Sequence, residues 1–119
     1  AKEKLVEWGN RYLKAGWVSD GLDFFVEAKD EEGLRKVRTL AVMEGDAFIL
    51  RRCLKELATT AEDGEWKALA ENALANGKLQ FAREGFRLSG ERKMLDRVDA
   101  MIHPPKAEDE SSAEQEEGE

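Results

Sequence analysis

Two side chains in this sequence are of the kind that do covalent or proton chemistry near neutral pH: one cysteine, Cys53, and one histidine, His103. His103 stands directly before Pro104-Pro105, at the end of an amphipathic stretch, where an imidazole serves as a C-terminal cap facing the helix dipole. Cys53 lies inside an apolar helical pattern and reads as a small packing residue. A lone cysteine excludes an intramolecular disulfide and fits a reducing compartment. One His and one Cys do not make a standard zinc site without carboxylates from elsewhere. The sequence contains no P-loop, no G-x-G-x-x-G and no H-E-x-x-H. Its carboxylates alternate with Lys and Arg, as on solvated helix faces. We therefore expect no catalytic residue, no cofactor and no metal, and a protein that is not an enzyme.

Charge narrows the partners. The formal net charge is -7, and residues 104–119 hold seven acidic residues against the single Lys106. Residues 1–103 hold 19 acidic and 18 basic residues and are nearly neutral. Acidity of this kind argues against nucleic acid or an anionic membrane as partner. No apolar run approaches membrane-spanning length, and Ala1-Lys-Glu-Lys-Leu5 opens without a signal-peptide core. A cytoplasmic protein is expected. The basic runs Arg35-Lys36-x-Arg38 and Arg51-Arg52-x2-Lys55, with Arg83 and Arg87, leave one further option. Arg51, Arg52, Arg83 and Arg87 would form a basic strip on a convex face if the second helices stack in order. The simpler reading is surface charge balanced by Glu27, Glu56 and Glu84.

The elements that carry these residues follow from periodicity. In Trp66–Phe86, Trp66, Leu69, Ala70, Ala73 and Leu74 fall at i, i+3, i+4, i+7 and i+8, one face of a helix. Gly77 stops that helix with a left-handed cap, and a second stripe follows at Leu79, Ala82 and Phe86. The pattern recurs 61 residues earlier as Leu5, Trp8, Gly9, Tyr12, Leu13 and Gly16. It recurs again 29 residues after that as Leu34, Val37, Arg38, Ala41, Val42 and Gly45. The second helices align through Gly21, Phe25 and Ala28, then Leu50, Leu54 and Leu57, then Ala82, Phe86 and Ser89. Three helical hairpins at a period near 30 predict a solenoid. Small residues should let the paired helices approach: Gly9 against Gly21, and Ala70 against Ala82. Arg38 breaks that rule, so the middle hairpin should splay or the arginine should snorkel outward.

Capping residues set the expected boundaries. Helix one runs from Lys2 to Ala15, and Ser19 or Asp20 caps the second. Asp30 caps the third, Asp46 the fourth, which ends near Ala58, and Asp63 the fifth. Helix four, with Phe48, Ile49, Leu50, Leu54 and Leu57, is the most apolar. Phe24, Phe25 and Val26 widen the stripe of helix two, as in a helix contacted from two sides. A seventh helix carries Met94, Leu95, Val98, Met101 and Ile102 and closes the stack. Trp8, Tyr12, Phe25, Leu50, Leu54, Trp66, Leu69 and Phe86 are the expected core. The domain boundaries are 1–103 for the helical domain and 104–119 for an acidic tail too poor in large apolar groups to order itself.

The W-x2-L-A of Trp66–Ala70, with Gly77, Ala82 and Phe86, resembles a tetratricopeptide repeat. So does L-x2-W-G-x2-Y from Leu5, with Gly16, Phe25 and Ala28. The resemblance covers residues 3–89 and is weakest in the middle copy. The short periods and missing prolines also make the chain similar to the helical hairpins of coatomer and clathrin-type coats. It implies an all-α fold, a right-handed α-α superhelix of three hairpins plus a capping helix. It further implies a scaffold or adaptor that binds another protein, with a fragment of a larger trafficking-coat or assembly protein as the alternative. In the tetratricopeptide register the partner groove is lined by Glu3, Val6, Asn10, Leu13 and Lys14, then Glu32, Arg35, Thr39, Val42 and Met43, then Lys67, Glu71, Leu74 and Ala75. Leu13, Val42, Met43 and Leu74 would make an apolar shelf turned away from the second helices. Of the family's carboxylate-clamp residues only Asn10 is matched, so an amphipathic or extended apolar segment is the expected ligand.

Overall fold

The computed structural model describes residues 1–104, all helix and connection. The helices are α1 (Lys2–Lys14), α2 (Val18–Ala28), α3 (Glu31–Glu44), α4 (Ala47–Leu57), α5 (Asp63–Ala75), α6 (Leu79–Leu88) and α7 (Arg92–Ile102). Consecutive helices pair as α1–α2, α3–α4 and α5–α6; α3 also packs on α2 and α5, and α7 packs on α6. The expected tail lies, from residue 105 onward, outside the described residues.

Local chemistry explains most boundaries. Asp30 accepts a hydrogen bond from the Gly33 N–H at 3.0 Å, and Asp46 accepts one from Ile49 at 2.9 Å. Each such cap is worth about 1 kcal/mol because it satisfies a backbone donor that the first turn leaves free. Two expected caps are displaced. Trp17 flanks the start of α2 with no side-chain cap, and Ser19 and Asp20 lie inside its first turn. Glu62, not Asp63, is the flanking residue of α5. In both cases the carboxylate of the first turn, Asp20 or Asp63, still favours the positive end of the helix.

Small residues set the approach of the helices. Phe25 is fully buried, and a Cβ added at Gly9 or Gly33 would lie 2.7 or 2.2 Å from its ring. The ring is thus a wedge seated between α1 and α3. Gly21 faces Gly9 as expected: its added Cβ would lie 3.0 Å from the Gly9 carbonyl oxygen. In the third hairpin α6 approaches α5 closely at Gly85, whose added Cβ would lie 2.7 Å from that of Ala70. Ala82 is fully buried in the same cluster as Ala70. Gly45 does two jobs. Its φ of 76° ends α3, and any Cβ there would lie 2.4 Å from the backbone of Ala73.

Polar groups tie the middle hairpin to the third. Arg38 does not snorkel. Its Nε and Nη2 donate to both oxygens of Glu65 on α5 at 2.8 and 2.6 Å, a two-point geometry that fixes position as well as charge. The carboxylate raises the pKa of the guanidinium further above its ordinary value. At the C-terminal end of α3, Asn72 donates to the Val42 carbonyl at 2.7 Å. Asn76 and Lys78 donate to that of Glu44 at 3.3 and 3.0 Å. Carbonyls that a helix end leaves without partners are satisfied by the next hairpin.

The core is one band through Leu22, Phe25, Leu34, Val37, Leu50, Cys53, Trp66 and Leu69, followed by a smaller cluster of Ala70, Ala73, Ala82, Phe86 and Val98. Six of the eight expected core residues lie in this buried set. Trp8 does not, at 42% exposed, and Tyr12 is half-buried. Phe48, counted with the apolar face of α4, is 60% exposed.

Candidate interaction surface

Phe24 and Phe25 are neighbours on α2, so their side chains diverge by about 100° and one wall cannot hold both. Phe25 takes the core. Phe24 turns to the other side of the hairpin and lies 5.3 Å from Tyr12, ring centroid to centroid, with the planes 15° apart. Trp8 stacks on Phe24 at 6.5 Å and meets Tyr12 at 6.4 Å. Trp17, from the turn between α1 and α2, reaches Tyr12 at 5.7 Å. The four rings form one contiguous patch around Tyr12. Trp17 is 58% exposed, more than Trp8. The Arg11 guanidinium lies 4.9 Å above the Trp8 ring, a cation–π distance, and also pairs with Glu7 at 3.2 Å.

Two clefts flank Tyr12. One, of about 330 Å³, is apolar and is lined by Trp8, Arg11, Tyr12, Ala15 and Trp17. The other, of about 340 Å³, is acidic and is lined by Tyr12, Asp20, Asp23, Phe24 and Glu27. Asp23 accepts from Arg52 at 2.9 Å. Asp20 and Glu27 have no ion-pair partner among the described residues. The face therefore combines exposed aromatic area with two uncompensated carboxylates.

The residues expected to line the first-helix groove fare differently. Leu13, Val42 and Val6 pack against the main core and Leu74 against the smaller one. Leu13 is turned toward its own second helix, not away from it, because Gly21 leaves room for its methyl groups. Of the apolar shelf only Met43 stands clear, at 62% exposed. Asn10 accepts a hydrogen bond from Lys36 of α3 at 3.1 Å, and Thr39 donates back to the Arg35 carbonyl at 3.2 Å. Arg35 pairs with Glu31 at 3.3 Å, and Lys67 with Glu91 at 3.5 Å. Lys14 and Glu71 are exposed, as are Glu3, Glu32 and Ala75. The groove positions thus remain on the first helices, but the structure does not join them into an apolar surface.

The basic strip is largely neutralised. Arg51 pairs with Glu84, Arg52 with Asp23, and Arg83 with Asp99 at 2.5 Å. Arg83 and Asp99 also line a cleft of about 560 Å³ where α6 meets the end of α7 at His103. Cys53 is fully buried, and burial pushes its thiol up to about 11, the reverse of what a nucleophile needs. Among the described residues no cluster of three or more His, Cys, Asp or Glu is placed to hold a metal ion. No described helix is long and apolar enough to cross a membrane.

Sequence reasoning missed the aromatic patch because it placed Trp8 and Tyr12 in the core. The available signal was the Phe24-Phe25 pair together with Trp17, more aromatic area than one helix face can bury. Comparison with known protein families, with curated proteins and with solved structures gave no match.

Proposed function

We propose that the chain is a tetratricopeptide-like solenoid segment acting as a non-enzymatic protein–protein interaction module of the cytoplasm, and that it docks its partner on the α1–α2 end face. One observation carries this. In the register above, Trp8 aligns with Val37 and Leu69, and Tyr12 with Ala41 and Ala73; the four inner residues are all 0% exposed. The inner hairpins bury those positions against a preceding hairpin, as Ala73 does on Gly45. On α1 they carry large aromatics and stay open. Covering Trp8 and Trp17, which are partly exposed, yields about 1–2 kcal/mol each and the half-buried Tyr12 and Phe24 add less, so the four rings together make an effective anchor. The first-helix groove, by contrast, retains Met43 as its exposed apolar contact.

A second reading has the chain as a segment of a larger coat or assembly protein whose own preceding hairpin covers this face; the same observation supports it. The test is partner capture by the wild type and by Trp8→Glu, Met43→Glu and Arg87→Glu, at matched circular dichroism. Loss in Trp8→Glu alone supports the end face. Loss in Met43→Glu alone returns the site to the groove, and loss in Arg87→Glu alone moves it to the basic strip.

A further inference from the structure

The end face asks for a ligand with an apolar group for the cleft beside Trp17 and cations for Asp20 and Glu27. On α2, Asp20, Phe24 and Glu27 fall at i, i+4 and i+7, one stripe about 10 Å long. At the other end of the helix order, α7 packs on α6, and one of its flanks is open. Lys93, Arg97 and Met101 lie there at i, i+4 and i+8, a stripe about 12 Å long. All three are exposed, Met101 by 49%. Neither Lys93 nor Arg97 has an ion-pair partner among the described residues, whereas the neighbouring Arg92 pairs with Asp96.

We propose that the α1–α2 end face receives the α7 stripe of a second copy of this chain, head to tail. This rests on the end-face reading above and names its partner. Two cations meet two carboxylates that lack partners, and a methionine, whose thioether packs well on aromatic rings, meets the Trp8–Tyr12–Trp17 cleft. The charges also disfavour a symmetric pairing that sets the carboxylates of one end face against those of another. Because the two surfaces differ, a head-to-tail pair leaves one of each open, so the assembly grows past the dimer, as an open series or a closed ring.

The experiment is sedimentation of the full chain over a concentration series reaching about 1 mM, a range that reveals weak contacts. The weight-average mass should climb past that of a dimer. The apparent association constant should fall about tenfold as salt rises from low to high ionic strength, because exposed charges are screened. The double variants Asp20→Lys/Glu27→Lys and Lys93→Glu/Arg97→Glu should each stay monomeric, with unchanged circular dichroism. Mixed, they should associate and again grow past the dimer, the two variants alternating, since the unchanged faces pair as in the wild type and the two reversed faces carry complementary charges. A wild type that is monomeric throughout overturns the proposal, as it would if the acidic residues 105–119 occupied α7 instead. A plateau at the dimer, or a mixture that fails to combine, overturns it too. If self-association fails while Trp8→Glu still abolishes capture of another protein, the end-face reading stands and only the choice of occupant falls.

Discussion

Trp8 and Trp66 both belong to the apolar stripe of a first helix, Trp66 at its first position and Trp8 at its second, yet Trp8 is 42% exposed and Trp66 7%. The difference does not lie in the residue type or in the amphipathic pattern. Trp66 lies on α5, which packs on α3, and joins one buried cluster with Val37, Leu50 and Cys53. Trp8 has its own hairpin on one side and nothing described on the other. Periodicity tells which face of a helix is apolar; it does not tell whether anything in the chain arrives to cover it. In the first hairpin the same pattern that makes a core leaves an open apolar face.

The largest expected effect tests that contrast directly. Trp66→Ala should cost about 3–5 kcal/mol in a denaturant melt, the range for a large aromatic removed from a core. Trp8→Ala should cost under about 1 kcal/mol, as for a partly exposed site. Equal losses would mean that the two hairpins are packed alike and that Trp8 is covered in solution. Next comes Gly33→Ala, whose Cβ would intrude to 2.2 Å from the fully buried Phe25 ring. Since Phe25 is wedged from both sides, the clash should cost about 1–3 kcal/mol. Gly64→Ala meets open space within α5 and should be neutral or stabilising by up to about 1 kcal/mol. If Gly33→Ala were as benign as Gly64→Ala, the wedge would not hold α1 and α3 together.

A smaller effect concerns the link between the middle and third hairpins. Arg38→Met keeps the length of the side chain but removes the two-point contact with Glu65. The pair is about one quarter exposed on each side, which places it between a surface and a buried salt bridge. A loss of about 1–2 kcal/mol is expected, and Glu65→Gln should lose less, because it keeps an acceptor for the guanidinium. A double-mutant cycle on Arg38 and Glu65 isolates the coupling; a value near zero would show that the contact only decorates the surface.

The all-helical fold was legible because each element carried its own local signal. Asp30 and Asp46 announce helix starts and Gly45 and Gly77 announce stops, all within a few residues of the event. The core positions Leu50, Leu54, Leu69 and Phe86 were legible because their stripes face inward in the interior of the stack. Three features were not legible. Arg38 looked like an obstacle because its partner Glu65 lies 27 residues away and nothing local marks the pair. Leu13 was assigned to an open groove because the room that Gly21 gives it comes from the other helix. Trp8 and Tyr12 were assigned to the core because the end of the stack has no sequence mark of its own.

The smallest effect is a chemical one, and it sets two aligned positions against each other. Phe24 and Cys53 share a place in the register of the second helices, and Gly85 follows them in the third. Phe24 is half-buried on the end face, while Cys53 is fully buried among α2, α3 and α4 side chains. Burial disfavours the thiolate and pushes the Cys53 pKa from 9.0 to about 11, with Arg52 and Arg38 opposing the shift only in part. A thiol with a raised pKa holds its proton more tightly when folded. Its contribution is therefore fully present below the unfolded value near 9 and is lost as pH rises toward 11. At pH 8 a thiol reagent should label native Cys53 far more slowly than the denatured chain, at a rate set by opening of the helices. Phe24→Cys should create a second thiol that labels much faster on the folded protein than Cys53 does. If both thiols reacted at one rate, the end face and the interior of the stack would be equally open, and the contrast between Trp8 and Trp66 would have to be sought in local packing alone.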